Sequence, residues 1–318
     1  MHWIRAIAAT AVALHMIGSK HPFSADTFLP TLTHFGYLGV PMFFVVTGCV
    51  IPLALHRNRV GPGSFFRVIA RRVVRLDPPY FASAVLILAL NAFSAALTMY
   101  RGSWQPPSWA SVAHHFLYLN DLFGTPWING VFWTLAIEFQ FYLLSALVFP
   151  RLNFTSVKNR LLLYLAIAAI SWLARDTPTC LKYLDIFAFG LVPFLKIIGR
   201  VKALEATLAL AFFFVSARGH HTGYYECGAL AGTLLILLQL TANRVVLWFS
   251  AISYSLYLLH TPLGNRPLNL FIRFDLSEGQ KILVALFTFG GMAVAARLFY
   301  LLIEAPSLRW SQKIKYHP

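Results

Sequence analysis

The sequence predicts an all-α, polytopic integral membrane bundle of about ten transmembrane helices with both termini cytoplasmic, and three observations carry that prediction. The 318 residues are 58% hydrophobic and 12% charged, with a mean hydropathy of +0.66. Soluble domains carry about a quarter charged residues, so a soluble globular protein is excluded. Apolar stretches of about twenty residues recur from end to end, each long enough as a helix to cross a hydrocarbon core of about 30 Å. When these segments alternate from an inner N-terminus, 17 of the 26 Lys and Arg residues fall inside, eight fall outside and Arg297 lies within the last span. That is the positive-inside bias, and it accounts for a net charge of +15 that in a soluble chain would suggest nucleic acid.

In chain order, the first segment (3 to 20) carries an arginine and a histidine and lacks a small-residue cleavage site, so it reads as a retained span. The segment 36 to 55 follows, ending in the densest basic run, His56 to Arg75, which marks a cytoplasmic loop. The segment 78 to 100 contains no charge, and Pro78 and Pro79 are expected to break the chain before it. The outer segment from Arg101 to Ile128 is rich in Trp, Pro and His. Its Trp104, Trp109 and Trp127 suit a membrane-water interface. Then come 129 to 149, the shorter or interrupted segments 161 to 174, 183 to 198 and 203 to 217, and finally 225 to 242, 245 to 263 and 282 to 303. Eight spans is the alternative count if shorter segments are partly re-entrant. Residues 1–318 read as one membrane domain with no separate soluble domain, so any chemistry belongs inside or at the edge of the bundle.

Cys49, Cys180 and Cys227 form no disulfide framework and no CxxC site, although Cys180 and Cys227 map to outer loops where an oxidising exterior would let them pair. Asp185 reads as an interfacial carboxylate. The adjacent pairs His114-His115 and His220-His221 would not face one ligand from a helix, so no metal site is expected. No GxSxG, Walker loop or dinucleotide fingerprint is present.

Three constellations remain. In RAIAATAVALH, ten residues of helix carry His15 about 15 Å deeper than Arg5, an expensive position for an ionisable group and by default a functional one. The competing reading is a histidine that only packs helices together. In RVIARRVVRLDPPY, Arg72 and Arg75 share a helical face, as do Arg67, Arg71 and Arg75, and two guanidinium forks match phosphate oxygens. The alternative is an anchor on anionic lipid. In WTLAIEFQFY, Glu138 lies in an otherwise uncharged stretch and needs a partner, a wet cavity or a proton. A structural ion pair is its plainer reading. His34, His260 and Glu304 are further polar groups set at segment ends.

In this order the segments resemble the acyltransferase 3 family of integral membrane acyltransferases, particularly its short members that O-acylate exopolysaccharides. The resemblance spans nearly the whole chain. It rests on Arg5 and His15, GYLGVPMFFVVTGCVI, Arg72-x-x-Arg75 before Pro-Pro-Tyr, WTLAIEFQFYLL, ISYSLYLLHTPL and Glu304-Ala-Pro306. Two features depart from the family. Its members usually place eleven positions between the first-span arginine and histidine, whereas ten here turn His15 by about 80°, which a helix bulge would undo. Where relatives read GVD, this chain has Gly39-Val40-Pro41.

The resemblance implies a multi-pass enzyme of the inner (cytoplasmic) membrane. It would take an acyl group, expected to be acetyl, from acyl-coenzyme A on the cytoplasmic side and pass it to a hydroxyl of a glycan, lipid-linked sugar or other envelope acceptor. Acyl-coenzyme A would be a co-substrate, with no permanently bound cofactor, no metal and no nucleic-acid partner. His15, Arg5 and Glu138 are then the catalytic candidates. Arg72, Arg75, Arg71 and Arg67 would bind the donor, and His34, Trp133, Tyr142, His260 and Glu304 would bind the acceptor or support the site. A secondary transporter of a small polar solute is the rival reading, since buried charge and short loops also describe one, but matched Gly or Pro breaks in two halves are not seen. A glycosyltransferase or flippase would bring larger loops or an acidic metal site.

Overall fold

The computed structural model describes residues 1–19, 28–97, 104–271 and 273–315. The end of the 78 to 100 segment and Arg101 lie outside the described residues. The described residues are helical, with no strand among them. The helices are α1 (His2–Gly18), α2 (Phe28–Thr33), α3 (Gly39–Arg57), α4 (Phe65–Ala96), α5 (Trp109–Leu117), α6 (Phe132–Val148), α7 (Val157–Leu173), α8 (Leu184–Ile197), α9 (Ala203–Arg218), α10 (Tyr225–Leu237), α11 (Arg244–Phe271), α12 (Glu278–Phe299) and α13 (Ala305–Lys313). A short 3-10 turn, His34–Leu38, leads into α3, and a π turn, Tyr300–Glu304, joins α12 to α13.

A helix overlies every expected span, but among the described residues only four continuous helical stretches are both long and apolar enough to cross a membrane: Pro30–Arg57, Phe65–Ala96, Phe132–Arg151 and Glu278–Lys313. The physical reason differs between the others. Helices α1 and α7 to α10 run 13 to 17 residues, short of the roughly twenty a perpendicular crossing needs. α11 has 28 residues, but Ser, Tyr, His and Asn interrupt its apolar character.

The expected break at Pro78 and Pro79 is corrected. α4 runs unbroken through both prolines for 32 residues, about 48 Å, so the basic run and the apolar span are one helix. Membrane helices tolerate proline when neighbours support the disturbed backbone. Here the Tyr254 hydroxyl donates to the Leu76 carbonyl at 3.0 Å in the turn before the prolines.

Without a hydrophobic drive between helices in lipid, close approach depends on small residues. α1 buries Ala6, Ala8, Ala9 and Ala13 and packs between α3 and α11. α3 crosses α8 at Gly48 and Gly190 with backbones almost touching: a Cβ on Gly48 would sit 2.1 Å from the Phe187 carbonyl oxygen, and one on Gly190 would sit 2.1 Å from that of Val45. Around this crossing lies the largest apolar cluster, including Phe44, Phe187, Phe189 and Phe194, all essentially without exposed surface. α4 packs on α6 and α13, and α11 on α12. The start of α7 is clasped to α9 by a two-pronged pair, Arg160 Nε and Nη2 donating to the two Glu205 carboxylate oxygens at 2.7 Å each.

Candidate active site

One cavity of about 250 Å³ opens between α1, α3, α4, α6, α11 and the π turn. Each helix contributes through its own periodicity. α6 places Thr134, Glu138 and Tyr142 on one face at four-residue steps, α4 presents Arg72, Arg75 and Leu76, and α1 presents Arg5 near its start. The wider π turn sends both Tyr300 and Glu304 to the same space. Three guanidinium groups, two carboxylates and the phenols of Tyr142, Tyr254, Tyr257 and Tyr300 thus share one cavity.

The carboxylates are held firmly. Glu138 Oε1 accepts from the Thr47 hydroxyl at 3.1 Å and Oε2 from the Tyr142 hydroxyl at 3.3 Å, so both oxygens face donors. Glu304 Oε2 accepts from the Ser255 hydroxyl at 2.6 Å and its backbone N–H at 3.2 Å, which ties the π turn to α11. Thr134 gives its single hydroxyl proton to the Val131 carbonyl at 2.9 Å, so Tyr257 is the donor in the 2.7 Å contact between their hydroxyls. The Arg72 guanidinium lies over the Tyr142 ring, 4.6 Å from its centre, which orients it by cation–π attraction. Among the described residues, neither Arg5 nor Arg75 forms a direct ion pair with a carboxylate. Their charge faces the cavity.

Of the residues singled out in the sequence, the structure brings Arg5, Arg72, Arg75, Glu138, Tyr142 and Glu304 together. Arg71 instead donates to the Ile314 carbonyl just past α13, at 3.4 Å, and Arg67 is exposed. Trp133 lies on another face of α6, packed against Phe44 and Tyr183. His34 is exposed in the 3-10 turn. Thr47, Thr134, Tyr254 and Tyr257 also line the cavity, although no one of them stands out as a candidate in the sequence. The four-residue spacing of Thr134, Glu138 and Tyr142 was the signal that could have found the first of the α6 group.

His15 does not line this cavity. α1 is a continuous α-helix, so no bulge restores the family's facing, and the ten-residue spacing leaves the imidazole turned from Arg5. His15 instead meets the turn before α3: its Nδ1 contacts the Thr33 carbonyl oxygen at 3.0 Å, and its ring stands edge-on to Tyr37, 5.6 Å between centres. A carbonyl only accepts, so Nδ1 carries the proton and a neutral ring keeps its lone pair on Nε2. His260 is buried at a similar level of the α1–α11 seam, since Gly264, one turn further, packs on Met16. Its Nδ1 donates to the Tyr257 carbonyl at 2.7 Å, while Tyr257 itself lines the cavity.

Three other expectations change. Asp185 is not interfacial but wholly buried at the start of α8. His220 and His221 do face one partner, that same Asp185, because they lie just past the end of α9, where the rule for helical neighbours no longer holds. Cys180 and Cys227 are both free thiols, the first buried and the second exposed. Pro41, which stands where relatives carry aspartate, is buried at the start of α3 and packs toward Gly228 of α10.

No curated protein and no solved structure matches the chain. A family model described as an acyltransferase domain matches residues 1–215, which run from α1 into α9 and include Arg5, His15, Arg72, Arg75, Glu138 and Tyr142. A match over two thirds of the chain, on apolar helices that converge around buried arginines and carboxylates, shows that this protein belongs to the acyltransferase 3 family of membrane acyltransferases.

Proposed function

We propose that this acyltransferase takes its acyl group, acetyl in the first instance, from acyl-coenzyme A entering at the cytoplasmic side of the inner membrane, and passes it to a hydroxyl of a glycan or other envelope acceptor. The observation that carries the reading is the meeting of Arg5, Arg72 and Arg75 in one cavity with two of the three unspent on ion pairs among the described residues. Coenzyme A bears a 3′-phosphate and a pyrophosphate, and planar guanidinium forks suit both. The flexible pantetheine arm would then run along the α1–α11 seam, about 15 Å from Arg5 to the level of His15.

There the Nε2 lone pair takes the acceptor's hydroxyl proton as that oxygen attacks the thioester carbonyl. The carbon–sulfur bond breaks, and the imidazolium returns the proton to the leaving thiolate. The Thr33 carbonyl keeps the ring in the tautomer this requires. Glu138, held by Thr47 and Tyr142, orients the Arg72 side of the donor site through the stacked Tyr142 ring.

Purified protein given labelled acetyl-coenzyme A should bind it and transfer or hydrolyse its acetyl group. Changing Arg72 and Arg75 together to Ala should weaken binding by several kcal/mol, at about 1.5 to 3 for each charge-assisted contact. Lys at both positions should restore only part, because a point charge replaces a fork. Unchanged affinity in the double Ala protein would make the basic stretch a lipid anchor and end the proposal.

A further inference from the structure

Where α8 begins and α9 ends, Asp185, His220 and His221 converge away from the cavity, and nothing in the proposed reaction uses them. The side chains are 0%, 0% and 3% exposed, in that order, and their ligand atoms all lie within 4.8 Å of one another. His221 Nε2 is 3.1 Å from Asp185 Oδ1, and His220 Nε2 is 3.3 Å from Oδ2. The rings have little freedom. The His221 ring packs against both Tyr183 and Tyr225, which also touch each other, and His220 stands edge-on to Trp172.

Proton bookkeeping at His220 shows what is missing. Its Nδ1 faces the Ser216 carbonyl oxygen at 2.9 Å, and a carbonyl only accepts, so the ring proton sits on Nδ1. In the neutral ring Nε2 is then a lone pair, fully buried and making no hydrogen bond, aimed at a carboxylate oxygen. Two electron-rich atoms facing each other in a dry interior repel unless positive charge lies between them. The outer hydrogen bonds at His220 and Asp185 are of the kind that orient metal ligands. The second ring nitrogen of His220 is committed to a carbonyl, and the carboxylate accepts from the Ile186 N–H at 2.9 Å and the Ser216 hydroxyl at 3.2 Å.

We propose that Asp185, His220 and His221 bind one divalent cation of the zinc class through a carboxylate oxygen and the two Nε2 atoms. Ligands about 2.0–2.2 Å from a tetrahedral zinc ion sit about 3.3–3.5 Å apart. Each Nε2 lies 3.1 or 3.3 Å from its own carboxylate oxygen, and the three ligand atoms lie within 4.8 Å of one another, so a small rotation of the carboxylate would bring one oxygen into the set. Two imidazoles exclude the hard cations magnesium and calcium, which prefer oxygen. The bound ion would staple the start of α8 to the end of α9, joining two short helices whose own length gives them little hold on the bilayer.

The test uses the full chain in detergent, stripped with a chelator and titrated with zinc chloride. Calorimetry should show one saturable zinc per chain, the thermal unfolding midpoint should rise by a few degrees, and magnesium chloride should do neither. His220→Gln and His221→Gln should each weaken zinc binding at least about 100-fold, beyond the effect of losing an outer-shell partner, while His114→Gln leaves it unchanged. X-ray absorption of the zinc-loaded wild-type protein should show nitrogen and oxygen neighbours with two imidazoles, a readout that needs no variant to fold. Absence of stoichiometric zinc uptake would leave a carboxylate–imidazolium pair held by a proton and would overturn the proposal. So would a sulfur shell from the cysteines, or wild-type zinc affinity in either Gln variant.

Discussion

His15 illustrates how one residue of spacing changes a side chain's surroundings. It shares α1 with Arg5, yet 100° of rotation per residue sends Arg5 into the cavity and His15 toward Thr33 and Tyr37. Replacing His15 by Ala should lower acyl transfer by about 10² to 10⁴, the usual cost of a lost general base, with insertion and coenzyme A binding preserved. A variant that transfers at a near wild-type rate would exclude His15 as the base. His115, in α5, shows the purely structural use of an imidazole. Its Nδ1 donates to the Ser111 carbonyl at 2.7 Å and its Nε2 accepts from the Ile128 N–H at 2.8 Å, so the fold requires the neutral ring. Burial, more than any neighbour, holds its pKa below the ordinary value of 6.5. The unfolded chain therefore takes up a proton before the folded one does as pH falls. Stability from this clasp is present above about pH 6.5 and declines below it, by at most about 1.4 kcal/mol per pH unit. Thermal unfolding at pH 7.5 and 5.5 should show a smaller acid-induced loss in His115→Gln than in wild type.

At the scale of elements, the α3–α8 crossing depends on two glycines facing each other's backbone. A Cβ at Gly190 would meet the Val45 carbonyl oxygen at 2.1 Å, and no side-chain adjustment relieves a clash with backbone. Gly190→Val should therefore destabilise the protein by on the order of 1–3 kcal/mol, the usual cost of overpacking, measured as a lower unfolding midpoint in detergent. Gly61→Ala, with nothing within 4 Å of its added Cβ, should leave that midpoint unchanged. Equal midpoints for the two variants would show that the crossing is not close-packed. α4 carries the second element-scale lesson. Because it stays helical through Pro78 and Pro79, Arg72 and Arg75 are fixed on a rigid helix rather than in a loop, and their shared face is presented to the cavity.

At the scale of the whole molecule, Arg5, Arg72, Arg75 and Glu304 come from widely separated segments that the alternating assignment puts at the cytoplasmic end of the bundle, and they converge on one cavity. Orientation is the part of the proposal that membrane labelling tests directly. A cysteine placed at Gly61 should be protected from an impermeant thiol reagent in intact cells, while one at Gly223 should react. The opposite pattern would put the cavity's mouth on the outside, where coenzyme A is not supplied.

The helical membrane character and most of the charged residues that gather at the cavity were legible in the sequence by itself. Bilayer length sets segment size, and an ionisable residue such as Glu138 inside an apolar stretch is costly enough to stand out. Thr47, Tyr254 and Tyr257 did not stand out, because a hydroxyl in a membrane helix is individually ordinary and acquires meaning only from what faces it. Only the tertiary structure decided that His15 stands apart from the arginine cavity, that α4 continues through two prolines, and that Asp185 is buried against His220 and His221. Each of these depends on helix rotation and on partners distant along the chain. Local pattern states which face a side chain occupies, but the packing of neighbouring helices determines what that face meets.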